Sequence, residues 1–335
     1  MSTLANPAAI FQAMQAFQQT EAFKAAVELD LFTAVAQGAD RVESLAAACG
    51  TSPKGTRVLA DAMTVMGMLE KQDGAYALAP AVAPFLDRRS PAFLGDAVKF
   101  ILHAGVKQGF DRLADVVRRG GSLNGEGTVE PENPVWVDFA RYMAPIMMPA
   151  SQTIPRIIGP LAAGARVLDI AAGHGLFGIE VAKANPGVQV TQVDWRPVLE
   201  VAAENARRAG VADRMHALAG SAFEVEFGAG YDVALLTNFL HHFDAPTCEG
   251  LLKRLHAALK PGGRVVTLEF CPNEDRVTPP QPAWFAVQML VNTRAGDAYT
   301  IREIDGMARN AGFAPATAHA LEGMPHTVII SSRPQ

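Results

Sequence analysis

The sequence predicts an α/β protein: a doubly wound, Rossmann-like sheet of seven strands, the last antiparallel, behind a mainly helical N-terminal domain. Three observations carry that prediction. Residues 166–178 read RVLDIAAGHGLFG, an apolar strand, a turn of small residues and a helix start. From there short apolar runs alternate strictly with helical patterns to the end of the chain. Before residue 90 that alternation is absent, and helical periodicity with one hairpin signal takes its place.

The N-terminal part opens with an apolar helical pattern over residues 8–28, carried by Ile10, Phe11, Met14, Phe17, Phe23, Ala26 and Val27. Asp30 is placed to cap the short helix LFTAVA. A winged helix is expected over residues 41–78. Val42, Leu45 and Ala46 mark its first helix, and Ser52-Pro53 is an N-cap followed by proline at the first helical position. Val58, Leu59, Ala62, Met63, Met66 and Leu69 follow one face of the next helix, and Asp73-Gly74 turns the hairpin of the wing. Its recognition helix carries only Lys54 and Arg57 as cations, thin for phosphate contacts, so a structural and dimerising role is preferred to DNA binding.

Residues 91–161 read as mainly helical, interrupted at 119–134 by a stretch rich in glycine, proline and polar residues, expected to be a mobile loop. Trp136, Phe139, Tyr142, Met143, Met147 and Met148 follow. They suit either plain helix core or an adaptable lining for a flat apolar ligand. Strands are then expected at 166–170, 188–193, 214–219, 231–237 and 263–270, with helix ends at Ala209-Gly210 and at Lys260-Pro261-Gly262-Gly263. A last helix at 300–311 precedes strands near 314–321 and 326–333. The domains expected are 1–90 for dimerisation, 91–160 as a helical linker contributing to a pocket, and 161–335 for the ligand-binding sheet.

The turn after the first sheet strand lacks bulky side chains, so a ligand can approach backbone N–H groups at the positive end of a helix. Asp194 ends the next strand, 21 positions after Gly173, where a carboxylate can accept both hydroxyls of a ribose. Gly173, Gly175 and Gly178 also satisfy the dinucleotide fingerprint GxGxxG. Asp169, before the glycines, argues against a pyrophosphate and for a cationic amino-acid ligand. S-adenosylmethionine carries an ammonium and a sulfonium, so it is the expected cofactor. Trp195, Ser221, Ala222 and Phe223 are candidates for the adenine, and Thr237 for the donor at the fourth strand end. There His241 and His242 precede a helix, and Glu269 ends the fifth strand at the same sheet edge. A histidine with an orienting carboxylate is suited to removing a proton near neutrality.

Together these residues resemble the S-adenosylmethionine-dependent O-methyltransferases of the caffeic-acid and hydroxyindole type, bacterial members included, over nearly the whole chain. The resemblance implies that Asp169, Gly173, Gly175 and Asp194 bind the donor. The family's Gly-Asp-hydrophobic-Phe segment looks like residues 220–223, with Ser221 in place of aspartate. Its catalytic histidine matches His241 in His241-His242-Phe243, where the family usually reads His-Asp-Trp, and its orienting glutamate matches Glu269. A second glutamate of the plant members falls on Ala298. Substrate-facing positions fall on Phe139, Met143, Met289 and Thr293, with Met147 and Asn292 as neighbouring candidates. The expected protein is therefore a homodimeric enzyme methylating a hydroxyl of a small aromatic or polyketide-like acceptor.

Composition sets the outer bounds. A net charge of −5 argues against a general nucleic-acid binder, and 49% hydrophobic residues leave ample core in 335 residues. Cys49, Cys248 and Cys271 lie far apart, so no cysteine metal site and no disulfide framework is expected. No run approaches a membrane span, and a cytoplasmic location is expected. Methylation of S, N or C atoms, a nicotinamide oxidoreductase and a ligand-responsive DNA-binding regulator remain as alternatives.

Overall fold

The computed structural model describes residues 7–335, which form two compact units divided between Val98 and Lys99. In the first unit, helices Ala8–Glu28, Leu31–Ala36, Val42–Cys49 and Pro53–Val65 precede a hairpin of β1 (Leu69–Gln72) and β2 (Ala75–Leu78). The Ser52 hydroxyl accepts the Gly55 N–H at 3.2 Å, so the cap expected before Pro53 is made. Asp73 and Gly74 take φ of 49° and 76°, the paired positive values a tight two-residue hairpin requires. Asp30 does not cap its helix. It sits in the left-handed region with no side-chain cap bond, and its carboxylate accepts from Arg88 Nε at 2.7 Å. An arginine fork competes better for a carboxylate than backbone amides do. Val27, Leu31, Phe32, Leu45, Met63 and Tyr76 are buried in this unit, whereas Ile10, Phe11, Met14 and Phe17 are 55–63% exposed.

The second unit is built on β3 (Arg166–Ile170), β4 (Gln189–Asp194), β5 (Met215–Ala219), β6 (Tyr231–Thr237), β7 (Leu259–Glu269), β8 (Thr317–Ala320) and β9 (Thr327–Ser332). Their order is β5-β4-β3-β6-β7-β9-β8, with β9 antiparallel to both neighbours and the remaining pairs parallel. The chain reverses direction across the sheet between β3 and β6, where a doubly wound fold leaves a crevice beyond the strand ends. Val167, Leu168 and Ile170 of β3 and Val233, Ala234, Leu235 and Leu236 of β6 are fully buried, as strands covered on both faces must be. The strand anticipated at 263–270 begins earlier, at Leu259. A register shift opposite Tyr231 and Val233 absorbs the Pro-Gly-Gly turn within the pairing. Helix Arg196–Arg208 closes as expected, with Gly210 at φ 70°. Among the described residues no helix is long and apolar enough to cross a membrane.

The loop at 119–134 is tied down. Ser122 N–H donates to Thr293 O at 2.8 Å, and Thr128 N–H to Asn292 O at 2.8 Å. Trp136 Nε1 donates to Thr128 O at 2.8 Å, and Glu126 pairs with Arg294. Gly121 and Gly127 make this approach possible, since a Cβ on either would lie 2.2 Å from Arg294 O or 2.1 Å from Asn292 O. The loop is thus a strap bonded across the end of helix Pro280–Asn292.

Candidate active site

The glycine turn ends β3 with Ala171 and Gly173 at φ of 51° and 57° and Gly175 at 76°. Asp194, at the end of the neighbouring β4, closes it: Gly173 N–H donates to Asp194 Oδ2 at 2.8 Å, and Trp195 N–H to Oδ1 at 2.7 Å. Each oxygen keeps a lone pair for a further donor. Burial pushes the Asp194 carboxyl up to about 6, against the pull of those two amides. Gly175 serves packing, because a Cβ there would meet Ala202 Cβ and Gln192 Nε2 at 2.9 Å. Gly220 N–H donates to Asp194 O, and Ser221, Ala222 and Phe223 follow along the same cavity wall.

Asp169 lies behind the turn, fully buried. Its Oδ2 accepts a long 3.4 Å bond from Gln192 Nε2, and its Oδ1 has no partner among the described residues. Burial, with the nearby Asp194 charge, raises this carboxyl to about 7. An unpaired buried carboxylate oxygen is costly without a partner and invites a cation. The chemistry of these groups suits S-adenosylmethionine: the buried carboxylate of Asp169 is of the charge an ammonium would need, Asp194 retains acceptor capacity for ribose hydroxyls, and residues 220–223 with Trp195 would face the base.

Two imidazoles stand beyond the end of β6, on the turn Leu240–His242. His241 Nδ1 lies 2.5 Å from Glu269 Oε2, and both side chains are buried. A carboxylate only accepts, so Nδ1 carries the proton and Nε2 is left with a free lone pair. Glu269 Oε1 accepts the N–H groups of Phe239 at 3.0 Å and Leu240 at 2.8 Å, which fix the carboxylate at the end of β7. Among the described residues no carboxylate bonds His242. Its Nδ1 donates to Phe239 O at 3.2 Å, and burial beside His241 holds its pKa well below the ordinary value. Ala298, in the place of the second family glutamate, is fully buried.

One cavity of about 680 Å³ joins these parts. Trp195, Ser221, Ala222, Phe223 and Thr237 line it, as do His241 and His242. Phe139, Met143, Met147 and Met289 complete an apolar wall, with Asn292 beside them. Thr293 is not on that wall. It is fully buried, and its hydroxyl donates to Met289 O at 2.7 Å and accepts from Gly296 N–H at 2.8 Å. Several lining residues went unselected in the sequence. Phe285 turns its ring edge-on to His241 at 4.7 Å, and Asn238, at φ 52°, keeps a buried Oδ1 without a partner among the described residues. The helical spacing Gln281, Phe285, Gln288, Met289 and Asn292 was the available signal for that wall. His174 lines the cavity as well, between the glycines.

The glycine turn and the carboxylate-backed imidazole thus line one cavity at the switch point of a doubly wound sheet, the place where an enzyme of this architecture keeps its active site. Comparison with known proteins gives the family. A model of the O-methyltransferase domain matches residues 148–314, and one of the O-methyltransferase dimerisation domain matches residues 11–88. A solved structure from Nostoc punctiforme, assigned as an O-methyltransferase, is 46% identical over 98% of this chain and 100% of its own, with a TM-score of 0.95. The 8-O-methyltransferase of tetracenomycin polyketide synthesis from Streptomyces glaucescens is 27% identical over 98% of both chains. Human N-acetylserotonin methyltransferase, solved with S-adenosylmethionine, shares the fold: TM-score 0.84, 21% identity, 100% of both chains. The chain belongs to the O-methyltransferase family.

Proposed function

We propose that this enzyme moves a methyl group from S-adenosylmethionine to a hydroxyl of a small aromatic or polyketide-like acceptor, with His241 as general base. The observation that carries the reading is the buried 2.5 Å contact between His241 Nδ1 and Glu269 Oε2 on the wall of the cavity that also contains the glycine turn. Bound S-adenosylmethionine supplies an electrophilic methyl group on a sulfonium. Asp169, Gly173 and Asp194 hold its amino-acid and ribose ends, and residues 220–223 with Trp195 hold its base. His241 Nε2 takes the proton of the acceptor hydroxyl as the oxygen becomes nucleophilic. Glu269 keeps the imidazole in the required tautomer and steadies the positive charge it gains. His242, held neutral by burial and with no carboxylate bonded to it among the described residues, is the poorer base.

Phe139, Met143, Met147 and Met289 give the acceptor a flat, adaptable apolar bed. The polyketide and naphthoate methyltransferases among the relatives favour an aromatic oxygen acceptor. An L-tyrosine C(3)-methyltransferase, 25% identical over 92% of this chain, keeps carbon methylation as the second reading. The first unit acts as a winged-helix dimerisation domain, its exposed apolar stripe at Ile10, Phe11, Met14 and Phe17 covered by a second copy. The test is transfer of labelled methyl groups to a panel of phenols, naphthols and anthraquinones, with the product bond located by mass spectrometry. O-methylation abolished by His241→Ala supports the reading. Transfer to carbon, or activity retained in that variant, overturns it.

A further inference from the structure

His174 sits between Gly173 and Gly175, inside the turn that holds the donor, yet no role follows for it from the glycine motif. Its side chain is 1% exposed. Its ring packs against two others, Phe139, nearly parallel at 5.8 Å, and Phe177, tilted at 5.6 Å. Nδ1 accepts the N–H of Leu176 at 3.2 Å, the first residue of helix Leu176–Ala184. That bond settles the tautomer: Nδ1 is the acceptor, so the proton sits on Nε2. Nε2 is buried and has no partner among the described residues. The backbone of His174 is pinned too, by Asn205 Nδ2 donating to its carbonyl at 2.9 Å.

A fixed N–H in an apolar setting with nothing to receive it is costly, and side chains of this kind normally find an acceptor. Behind the same turn, on β3, lies the opposite deficiency, the unpartnered Asp169 Oδ1. An α-amino acid answers both, with an ammonium for the oxygen and a carboxylate for the N–H. Resting on the reading of this turn as the amino-acid end of the donor site, we propose that His174 is a donor-binding residue. Its Nε2–H donates to the carboxylate of the methionine portion, while Phe139 and Phe177 hold the ring in place.

S-adenosylhomocysteine and 5′-methylthioadenosine separate this role from a structural one, because the second ligand keeps the nucleoside and thioether but lacks the amino acid. The variants are His174→Phe, which keeps a ring against the two aromatics, and His174→Gln, which keeps an N–H near the Nε2 position. Calorimetric titration reads the dissociation constants. We expect His174→Phe to weaken S-adenosylhomocysteine about tenfold or more, the scale of a hydrogen bond to a charged group. We expect 5′-methylthioadenosine to change by less than about twofold, and His174→Gln to recover most of the lost affinity. Parallel weakening of both ligands would show that His174 only shapes the turn and would overturn the proposal, as would an unchanged affinity for both. If neither ligand binds the parent enzyme, the donor reading itself fails and the proposal with it.

Discussion

His241 Nδ1 approaches Glu269 Oε2 to 2.5 Å while the other oxygen of Glu269 receives two backbone amides. Both oxygens of this carboxylate thus accept from protein donors, and the amide substitution Glu269→Gln has no good orientation. With its NH₂ toward His241, the imidazole must flip tautomer and place its proton on Nε2, where a lone pair is needed. With its NH₂ toward Phe239 and Leu240, donor meets donor. We expect Glu269→Gln to lower kcat by about 10²- to 10⁴-fold, the range of positioned base catalysis, with the dissociation constant of S-adenosylhomocysteine changed less than about twofold. Steady-state kinetics beside calorimetry checks both halves. A proportionate loss of ligand binding would place Glu269 in the donor site instead.

The donor site should take up its ligand more tightly as pH rises. Burial sets Asp169 at about 7 and Asp194 at about 6 in the unliganded chain, both above the usual carboxylate range. An ammonium beside Asp169 and hydroxyls donating to Asp194 favour the charged carboxylates, so binding expels protons. The dissociation constant of S-adenosylhomocysteine is expected to fall as pH rises from about 5.5 to 8 and to level off above. Titrations at pH 6.5 in two buffers of different ionisation enthalpy should show proton release. A flat profile would mean that neither carboxylate meets the ligand.

The same burial gives Asp169 a stability signature. Its folded pKa lies above the unfolded value, so the native state binds the extra proton. The associated stability is full at low pH and is lost as pH rises through about 7. Asp169→Asn cannot ionise. The Tm of the unliganded variant, relative to the parent, is therefore expected to climb between pH 5 and pH 8, while its affinity for S-adenosylhomocysteine drops. Thermal denaturation across that range decides it, and a difference independent of pH would refute the burial argument.

The exposed stripe on the first helix makes a separate prediction. Phe11 and Phe17 are 55% and 63% exposed and share one helix face with Ile10 and Met14, and a contiguous exposed apolar patch of this kind marks an interaction surface. The double variant Phe11→Glu, Phe17→Glu is expected to sediment as a monomer where the parent sediments as a dimer. Analytical ultracentrifugation is the measurement, and a monomeric parent would sink the dimer reading.

What the sequence made legible was local. Strand β3, the glycine turn and Asp194 follow one another within thirty residues, and their hydrophobic period and small-residue turn announced them. The chain past the end of β6 and the end of β7 put both histidines and Glu269 at one sheet edge, and the family resemblance pointed to His241 of the two. Illegible were contacts between distant stretches. Residues 119–134 read as a loose loop because their bonds go to Asn292 and Thr293, more than 160 positions away, through glycines whose composition looks like flexibility. Thr293 fell on a substrate-facing position, yet its hydroxyl is spent closing the end of its own helix. Asp30 looked like a cap until Arg88, 58 positions on, took its carboxylate.

Such a distant contact also reaches the base. Gly296 lies against the turn that carries the histidines: a Cβ built on it would stand 2.2 Å from His241 O and 2.6 Å from Thr293 Oγ1. Backbone cannot yield as a flexible side chain does, so Gly296→Ala must displace the 240–242 turn, at a cost of about 1–3 kcal/mol in overpacking. The displacement should act on the imidazole rather than on the donor turn, which belongs to β3 and β4. We expect kcat to fall by about tenfold to a hundredfold, as small misplacements of a positioned group do, with affinity for S-adenosylhomocysteine held within about twofold. The separating measurement is single-turnover transfer with enzyme preloaded with the donor. An unaltered rate would mean that the turn relaxes without moving His241, and that the close packing of Gly296 serves folding alone.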